Sequence, residues 1–246
     1  MHHNPISIEN LSYCYPDGIQ ALKGINLQIA ATERVGLIGA NGSGKSTLLL
    51  HLNGILMPQQ GEIVVGEMVV KPSNFAAIRN FVGLVFQNPD DQLFMPTVWE
   101  DVAFGLMNQG LRGDELKTRV AEALVAVGLD VAKYRERLSH NLSGGEKKRV
   151  AIAGVLAMQP QVLVFDEPSA QLDPRSRRQL IQLLHTLPET QLIATHDLDL
   201  VLELCDRTVV LSEGKIVYDG STKKVLCDRE FLLEHSLEMP LSLGSR

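Results

Sequence analysis

The sequence predicts an α/β fold in which a helical segment interrupts a β-rich core. Three observations carry this. Short apolar, β-branched runs recur over the first 88 residues and read as strands. From about 97 to 158 the apolar spacing turns helical, as in "TVWEDVAFGLMNQG" and "GDELKTRVAEALVAVGL". Beyond 159 the strand-like runs return, with a helical stretch between two of them.

Each element follows from its own pattern. "ISIENLSYCY" (6–15) and "ALKGINLQI" (21–29) alternate with period two, and "PDG" joins them as a turn. "RVGLIG" is a short apolar run that feeds a helix from 45 to about 56. "GEIVVGEMVV" reads as a hairpin and "NFVGLVFQ" as a core strand. "VLVFDE", "QLIATH" and "RTVVLSEGKIVYDG" supply the later strands, with the helical "RSRRQLIQLLHTL" between the first two. Residues 221 to about 237 look like short helices closing the core, and the tail after Pro240 is expected to be loose. There is no repeat, linker or low-complexity tract.

Composition narrows the function. The 246 residues are 45% hydrophobic and 21% charged, enough for a sizeable core. A formal charge of −6 gives no global basic field for nucleic acid or anionic lipid. Cys14, Cys205 and Cys227 are odd in number and in no metal spacing, which reads as reduced thiols in a cytosolic protein. No run approaches the ~20 apolar residues of a membrane span. The expectation is a soluble protein that reaches a membrane only through a partner. The opening "MHHNP", with His2 and His3, is either native or a tag remnant and reads as a solvated terminus.

Gly39-Ala40-Asn41-Gly42-Ser43-Gly44-Lys45-Ser46-Thr47 satisfies G-x-x-x-x-G-K-[ST], with an apolar strand before it and a helix after it. Glycines let backbone N–H groups converge on phosphate oxygens. Lys45 would reach the β- and γ-phosphates, the Ser46 hydroxyl would serve Mg²⁺, and the helix start adds its dipole. A glycine-rich turn that merely precedes a lysine would not need both flanking elements.

The partner of this loop is "VLVFDEP". Side chains alternate along a strand and the chain turns at Pro168, so Asp166 and Glu167 need not share one task. Asp166 would hold Mg²⁺ through its water shell, and Glu167 would polarise the attacking water. His196 closes another strand, and if the two strands are neighbours it would stand beside Asp166, where a ring N–H could meet the γ-phosphate. Gln87, ending "VGLVFQ", would contact either Mg²⁺ or the attacking water, at a hinge into the helical insert.

A second glycine-rich helix opening stands at "NLSGGEKKRVAIAG". Ser143 is a natural N-cap, and the free N–H groups beyond Gly144 and Gly145 suit an anion. Lys147, Lys148 and Arg149 sit near the positive end of the helix dipole, which disfavours them unless solvent or an anion offsets the charge. By itself this reads as a plain capped helix with solvated charges.

Together these motifs closely resemble the ABC-type ATPase family over essentially the whole chain. The phosphate loop, the Gln87 loop, LSGGE, "VLVFDEP", the "AQLDP" turn and His196 stand in the family's order and approximate spacing. The resemblance implies a single domain over 1–246 with a RecA-like P-loop core, an antiparallel β subdomain and an inserted α-helical subdomain. The core would take 1–88 and 159–246, and the signature subdomain 89–158. It implies that two subunits pair head to tail, with Ser143 and Gly145 reaching the γ-phosphate of ATP held by the partner subunit's Lys45. The second cradle would then serve the neighbour's nucleotide. Tyr15 matches the aromatic that stacks on adenine, with Tyr13 the other choice. Asp173 matches the aspartate of the interface turn, while Gln171 departs from the small residue usual there.

Within the family, "VFQNPDDQLF" and "VAIAGVLAM" look like the ATPases of energy-coupling-factor importers, especially the cobalt and nickel type. That likeness implies a homodimer or a pair with a closely similar ATPase, a transmembrane coupling subunit and a substrate-binding membrane subunit. The protein would sit peripherally on the cytoplasmic face of the cell membrane. Asp90, Asp91 and Gln92 would lie at the mouth of a groove for a coupling helix or form a solvated loop, and Phe94, Met95 and Trp99 would line that groove or pack in the core. An importer ATPase for a vitamin, a non-transport ATPase clamp and a small-molecule kinase are the competing functions. Long coiled-coil insertions or paired ATPase units, expected of a clamp, are absent, and a kinase would leave LSGGE and His196 without a task.

Overall fold

A computed structural model describes residues 5–244, so His2 and His3 lie outside the described residues. In chain order it contains β1 (Ile6–Cys14), β2 (Gln20–Ile29), β3 (Arg34–Ile38), α1 (Lys45–Leu52), β4 (Gln60–Val65), β5 (Met68–Val69), α2 (Phe75–Phe81) and β6 (Val82–Val85). Four helices follow: α3 (Val98–Asn108), α4 (Gly113–Ala126), α5 (Val131–Tyr134) and α6 (Gly144–Ala157). The chain closes with β7 (Val162–Asp166), α7 (Pro174–Thr186), β8 (Thr190–Ala194), α8 (Leu198–Leu204), β9 (Arg207–Ser212), β10 (Lys215–Ser221), α9 (Thr222–Leu226) and α10 (Arg229–Glu234). Contacts divide it into two compact units. The first is the described part of Met1–Leu84, Gln161–Glu167 and Pro188–Arg246, and the second is Val85–Pro160 with Pro168–Leu187.

The first unit holds two sheets. One is four-stranded and antiparallel, in the order β2-β1-β4-β5. The other is six-stranded, in the order β10-β9-β3-β8-β7-β6, and runs parallel from β9 through β7. Val35, Leu37, Ile38, Val162, Leu163, Val164, Phe165, Leu192 and Ile193 are fully buried. Unbroken apolar runs of this kind suit parallel strands covered on both faces. In register, Leu37 pairs with Ala194 and Ala194 with Asp166. The carboxyl ends of β3, β8 and β7 therefore emerge side by side, where ligands bind in open α/β sheets.

Three local details differ from the sequence pattern. α1 stops at Leu52 rather than near 56, because Gly54 turns into the left-handed region (φ 71) and the N–H groups of Ile55 and Leu56 both fold back to Leu50 O. Residues 80 and 81 end a short helix, α2, so the core strand begins at Val82. α8, only seven residues long, was hidden between two strand signals.

In the second unit α6 packs against α3 and α4, burying Val102, Leu106, Val120, Leu124, Val150 and Ile152. α3 opens with a capping box of Thr97 and Glu100. α7 also packs on α6: a Cβ at Gly145 would lie 2.5 Å from Ser176 Oγ, so a side chain there would require Ser176 to shift. Among the described residues no helix is long and apolar enough to cross a membrane. The three cysteines are free, and burial pushes the Cys205 thiol up to about 12.

Candidate functional site

The glycine loop leaves β3 and enters α1. A Cβ at Gly39 would stand 2.1 Å from Leu211 O, and one at Gly44 would stand 2.6 Å from Ala21 O. Gly44 also takes φ 108, where L side chains are strained, and no side chain caps α1. Ala40, Asn41 and Gly42 form the turn between, closed by the Ser43 N–H donating to Ala40 O. Lys45 is 7% exposed, and its Nζ donates to Gly39 O at 2.8 Å and Ala40 O at 3.2 Å. Burial pushes the Lys45 ammonium below its ordinary range, and the charges of Glu167 and Asp166 pull it back up. Ser43 is buried with its Oγ lacking a hydrogen-bond partner, while Ser46 is exposed on the first turn. An uncapped helix start, an orphaned hydroxyl and a desolvated lysine together fit a polyphosphate.

Tyr15 follows β1, and its hydroxyl shares a 3.0 Å hydrogen bond with Thr47 Oγ1. Tyr13 meets Tyr15 edge-on at 5.1 Å and the buried His51 of α1 at 4.8 Å. Sequence reasoning did not single out His51, whose Nδ1 lies 2.7 Å from Thr47 O. The three rings and Thr47 fix the side of the loop that Tyr15 occupies.

At the other strand ends, Asp166 closes β7 in register with Ala194, and Glu167 turns off the strand at φ 45. The Glu167 N–H donates to Ala194 O at 2.8 Å. Its Oε2 accepts from the backbone N–H of His196 at 3.1 Å and lies 2.8 Å from His196 Nδ1. β7 and β8 are neighbours, which meets the condition set for His196, and the imidazole lies against Glu167, whose positive-φ turn leaves β7 beside β8. Glu167 is 7% exposed, whereas the His196 side chain is 65% exposed. The pair thus presents a buried acceptor behind an outward-facing ring. No cluster of three His, Cys, Asp or Glu suited to a metal occurs among the described residues.

In the second unit Ser143 caps α6 through a complete capping box. Ser143 Oγ accepts the Glu146 N–H at 3.4 Å, while Glu146 Oε2 accepts the Ser143 N–H at 2.8 Å and its hydroxyl at 2.9 Å. Glu146 Oε1 accepts from Tyr134 at 2.6 Å and Arg137 at 2.9 Å. Burial alone would raise the Glu146 carboxyl, but Tyr134, Ser143 and Arg137 hold it at about 2. Ser143 and Gly144 are exposed, and nothing lies within 4 Å of a Cβ at Gly144. The S-x-x-E spacing was available in the sequence; Tyr134 and Arg137 were not, since nothing local links them to it.

Two members of the basic triplet after the signature, Lys147 and Lys148, are satisfied within the unit. Lys147 pairs with Asp90 at 2.6 Å, and the buried Lys148 donates to backbone carbonyls of Phe86 and Gln87. Gln87 itself is exposed just beyond β6. Asp173 caps α7, accepting from the N–H groups of Arg175 and Ser176 and the Ser176 hydroxyl, and the Ser176 contacts hold its carboxyl below the usual range. Gln171 sits at φ 62, in the left-handed region that glycine enters at least cost.

A groove of about 320 Å³ is lined by Asp90, Leu93, Phe94, Met95, Pro96, Ser139 and His140. Phe94 is 63% exposed and meets Phe104 edge-on. Asp101, unremarked in the sequence, holds the groove backbone by accepting the N–H groups of Phe94 and Met95 and the Ser139 hydroxyl. Gln92 turns inward to Ala151 O, and Trp99 lies under Arg135 rather than in the groove lining.

A strand, a glycine loop and a helix with a buried lysine, electrostatically joined to an Asp–Glu strand end, define a phosphate-loop ATPase. Residues 22–170 match the ABC transporter family, and the chain belongs to it. It is an ATP-binding subunit of that family, an ATPase coupled to transport. A Gloeobacter violaceus protein, provisionally named an ABC transporter ATP-binding protein, is 59% identical over 98% of each chain. The energy-coupling factor transporter ATP-binding protein EcfA of Methanothermobacter thermautotrophicus is 49% identical over 96% of this chain and 76% of its own. Among solved structures, cbiO1 of Clostridium perfringens, described as part of the ABC transporter complex cbiONQ, superposes with a TM-score of 0.83 at 41% identity, over 94% of each chain. The dimeric ATP-binding cassette MJ0796 bound to ADP and Pi gives 0.80 at 28% identity, over 88% of this chain and 98% of its own. The fold is that of the ABC ATPases.

Proposed function

We propose that the protein is the ATPase subunit of an energy-coupling-factor-type importer, working as a head-to-tail dimer with a second copy or a closely similar ATPase. The observation that carries this is the surface opening at Ser143 and Gly144, a helix start with open space before it on a chain whose phosphate loop already has its own lysine. Each ATP would lie between Lys45 of one subunit and the signature helix of the other, with Ser143 and Gly145 facing its γ-phosphate. Tyr15 would stack on adenine, and Asp173 would cross the interface.

Glu167 would orient and polarise the attacking water; that it is buried and held by both the backbone and the ring of His196 supports this. His196 Nδ1 faces Glu167, which leaves Nε2 for the γ-phosphate. Ser46, Asp166 and Gln87 would hold Mg²⁺, which neutralises charge on the phosphate oxygens. The 320 Å³ groove, apolar at Phe94 and Met95 and acidic at Asp90, would seat the helix of a transmembrane coupling subunit. That contact would hold the protein on the cytoplasmic face of the membrane, with a substrate-binding membrane subunit selecting the cargo. The cargo proposed from the likeness of residues 85–94 is cobalt or nickel ion, with a vitamin as the competing cargo.

The test is Glu167→Gln. Turnover should fall by about two to four orders of magnitude, while ATP drives the variant into a dimer seen by light scattering. A Glu167→Gln chain that stays monomeric in saturating ATP removes the shared-nucleotide reading.

A further inference from the structure

Lys148 is 2% exposed and is among the largest fully buried side chains of the described residues. Lysine is almost never placed so deeply unless its charge is held. Here Nζ donates to Gln87 O at 2.6 Å and to Phe86 O at 3.1 Å. These carbonyls belong to the two residues immediately after β6, where the chain leaves the ladder of sheet hydrogen bonds.

Two further contacts flank this one. Gln92 accepts the Phe86 N–H at 3.2 Å and donates to Ala151 O of α6 at 3.1 Å. Lys147 reaches Asp90 at 2.6 Å, across a more exposed surface. α6 thus grips residues 86–92 at three points. The ammonium of Lys148 is the buried grip, and charge-assisted bonds of this kind are the strong ones.

We infer that Lys148 is a positioning residue for ATP hydrolysis: it ties the backbone of Gln87 to the signature helix, so that Gln87 and Ser143 move as one body. This rests on the proposed contact of Gln87 with Mg²⁺ or the attacking water. In a head-to-tail dimer Ser143 meets the partner's nucleotide while Gln87 serves its own. Lys148 then carries the state of one ATP site to the other through its bonds to the backbone of residues 86 and 87.

The experiment is a double-mutant cycle on the full chain, with Lys148→Met, Gln87→Ala and the pair. Lys148→Met should lower kcat about tenfold, the worth of one charge-assisted hydrogen bond. Titrated ADP should bind it within about twofold of the parent, because the Lys45 loop is untouched. The double variant should be no slower than the slower single variant. A kcat for Lys148→Met within about twofold of the parent, or losses that multiply, would overturn the assignment. If Gln87→Ala hydrolyses ATP normally, the reading of Gln87 falls and the inference with it. A slow Gln87→Ala beside a normal Lys148→Met overturns Lys148 alone. Should Lys148→Met fail to fold, Lys148→Gln runs the same cycle; its shorter amide cannot span both carbonyls, and about a threefold loss is expected.

Discussion

At the start of α1, Gly44 takes φ 108 and no side chain caps the helix; at the start of α6, Ser143 and Glu146 cap each other. Both openings are rich in glycine and both present helix N–H groups. The first is unfinished by itself: it holds a desolvated lysine and an orphaned serine hydroxyl. The second is complete, with a carboxylate already on the serine hydroxyl and two further donors on that carboxylate. An anion at α1 fills a need, whereas an anion at α6 must compete with Glu146. Tight binding in a single chain and conditional binding between chains are the expected results of that difference.

The comparison breaks most readily at Lys45. Lys45→Met should cost about a hundredfold in ATP affinity by calorimetry, since it deletes a charged donor in a desolvated loop. Retained affinity would mean that the first opening is no more demanding than the second. Ser143→Arg should abolish ATP-driven dimerisation while leaving nucleotide affinity of the monomer within about twofold, as expected for independent sites. Loss of ATP binding in that variant would place Ser143 with its own chain's nucleotide.

The smallest effect sharpens the other side. Glu146→Ala removes the capping box and should destabilise the chain by about 1–2 kcal/mol in urea titrations. The sign of its pH dependence follows from a folded value of about 2 against the ordinary 4.5. The contribution of Glu146 is complete above about 4.5 and fades as pH falls toward 2, so the variant should lose less stability than the parent across that window.

Why some of this was legible in the sequence is a matter of range. The phosphate loop, the Asp166–Glu167 strand end and the Ser143 cap are contiguous motifs whose geometry follows from a few neighbouring residues, and the apolar runs of β3, β7 and β8 show their burial directly. The contact of His196 with Glu167 involves a positive-φ residue at the strand end, which side-chain type does not announce. Lys148 read as a solvated charge because its carbonyl partners are about sixty residues away. α2 and α8 span seven residues each, too few turns for a helical period to stand out beside strands.

The resting posture of Lys45 has a kinetic consequence. Its ammonium already lies on the oxygens of Gly39 and Ala40, so the loop keeps its shape through its own backbone. Nucleotide arrival is then an exchange of one set of acceptors for another, with no segment to be refolded first. Entry should proceed at an ordinary bimolecular pace, and the slow event of the cycle should fall where two chains must meet or part.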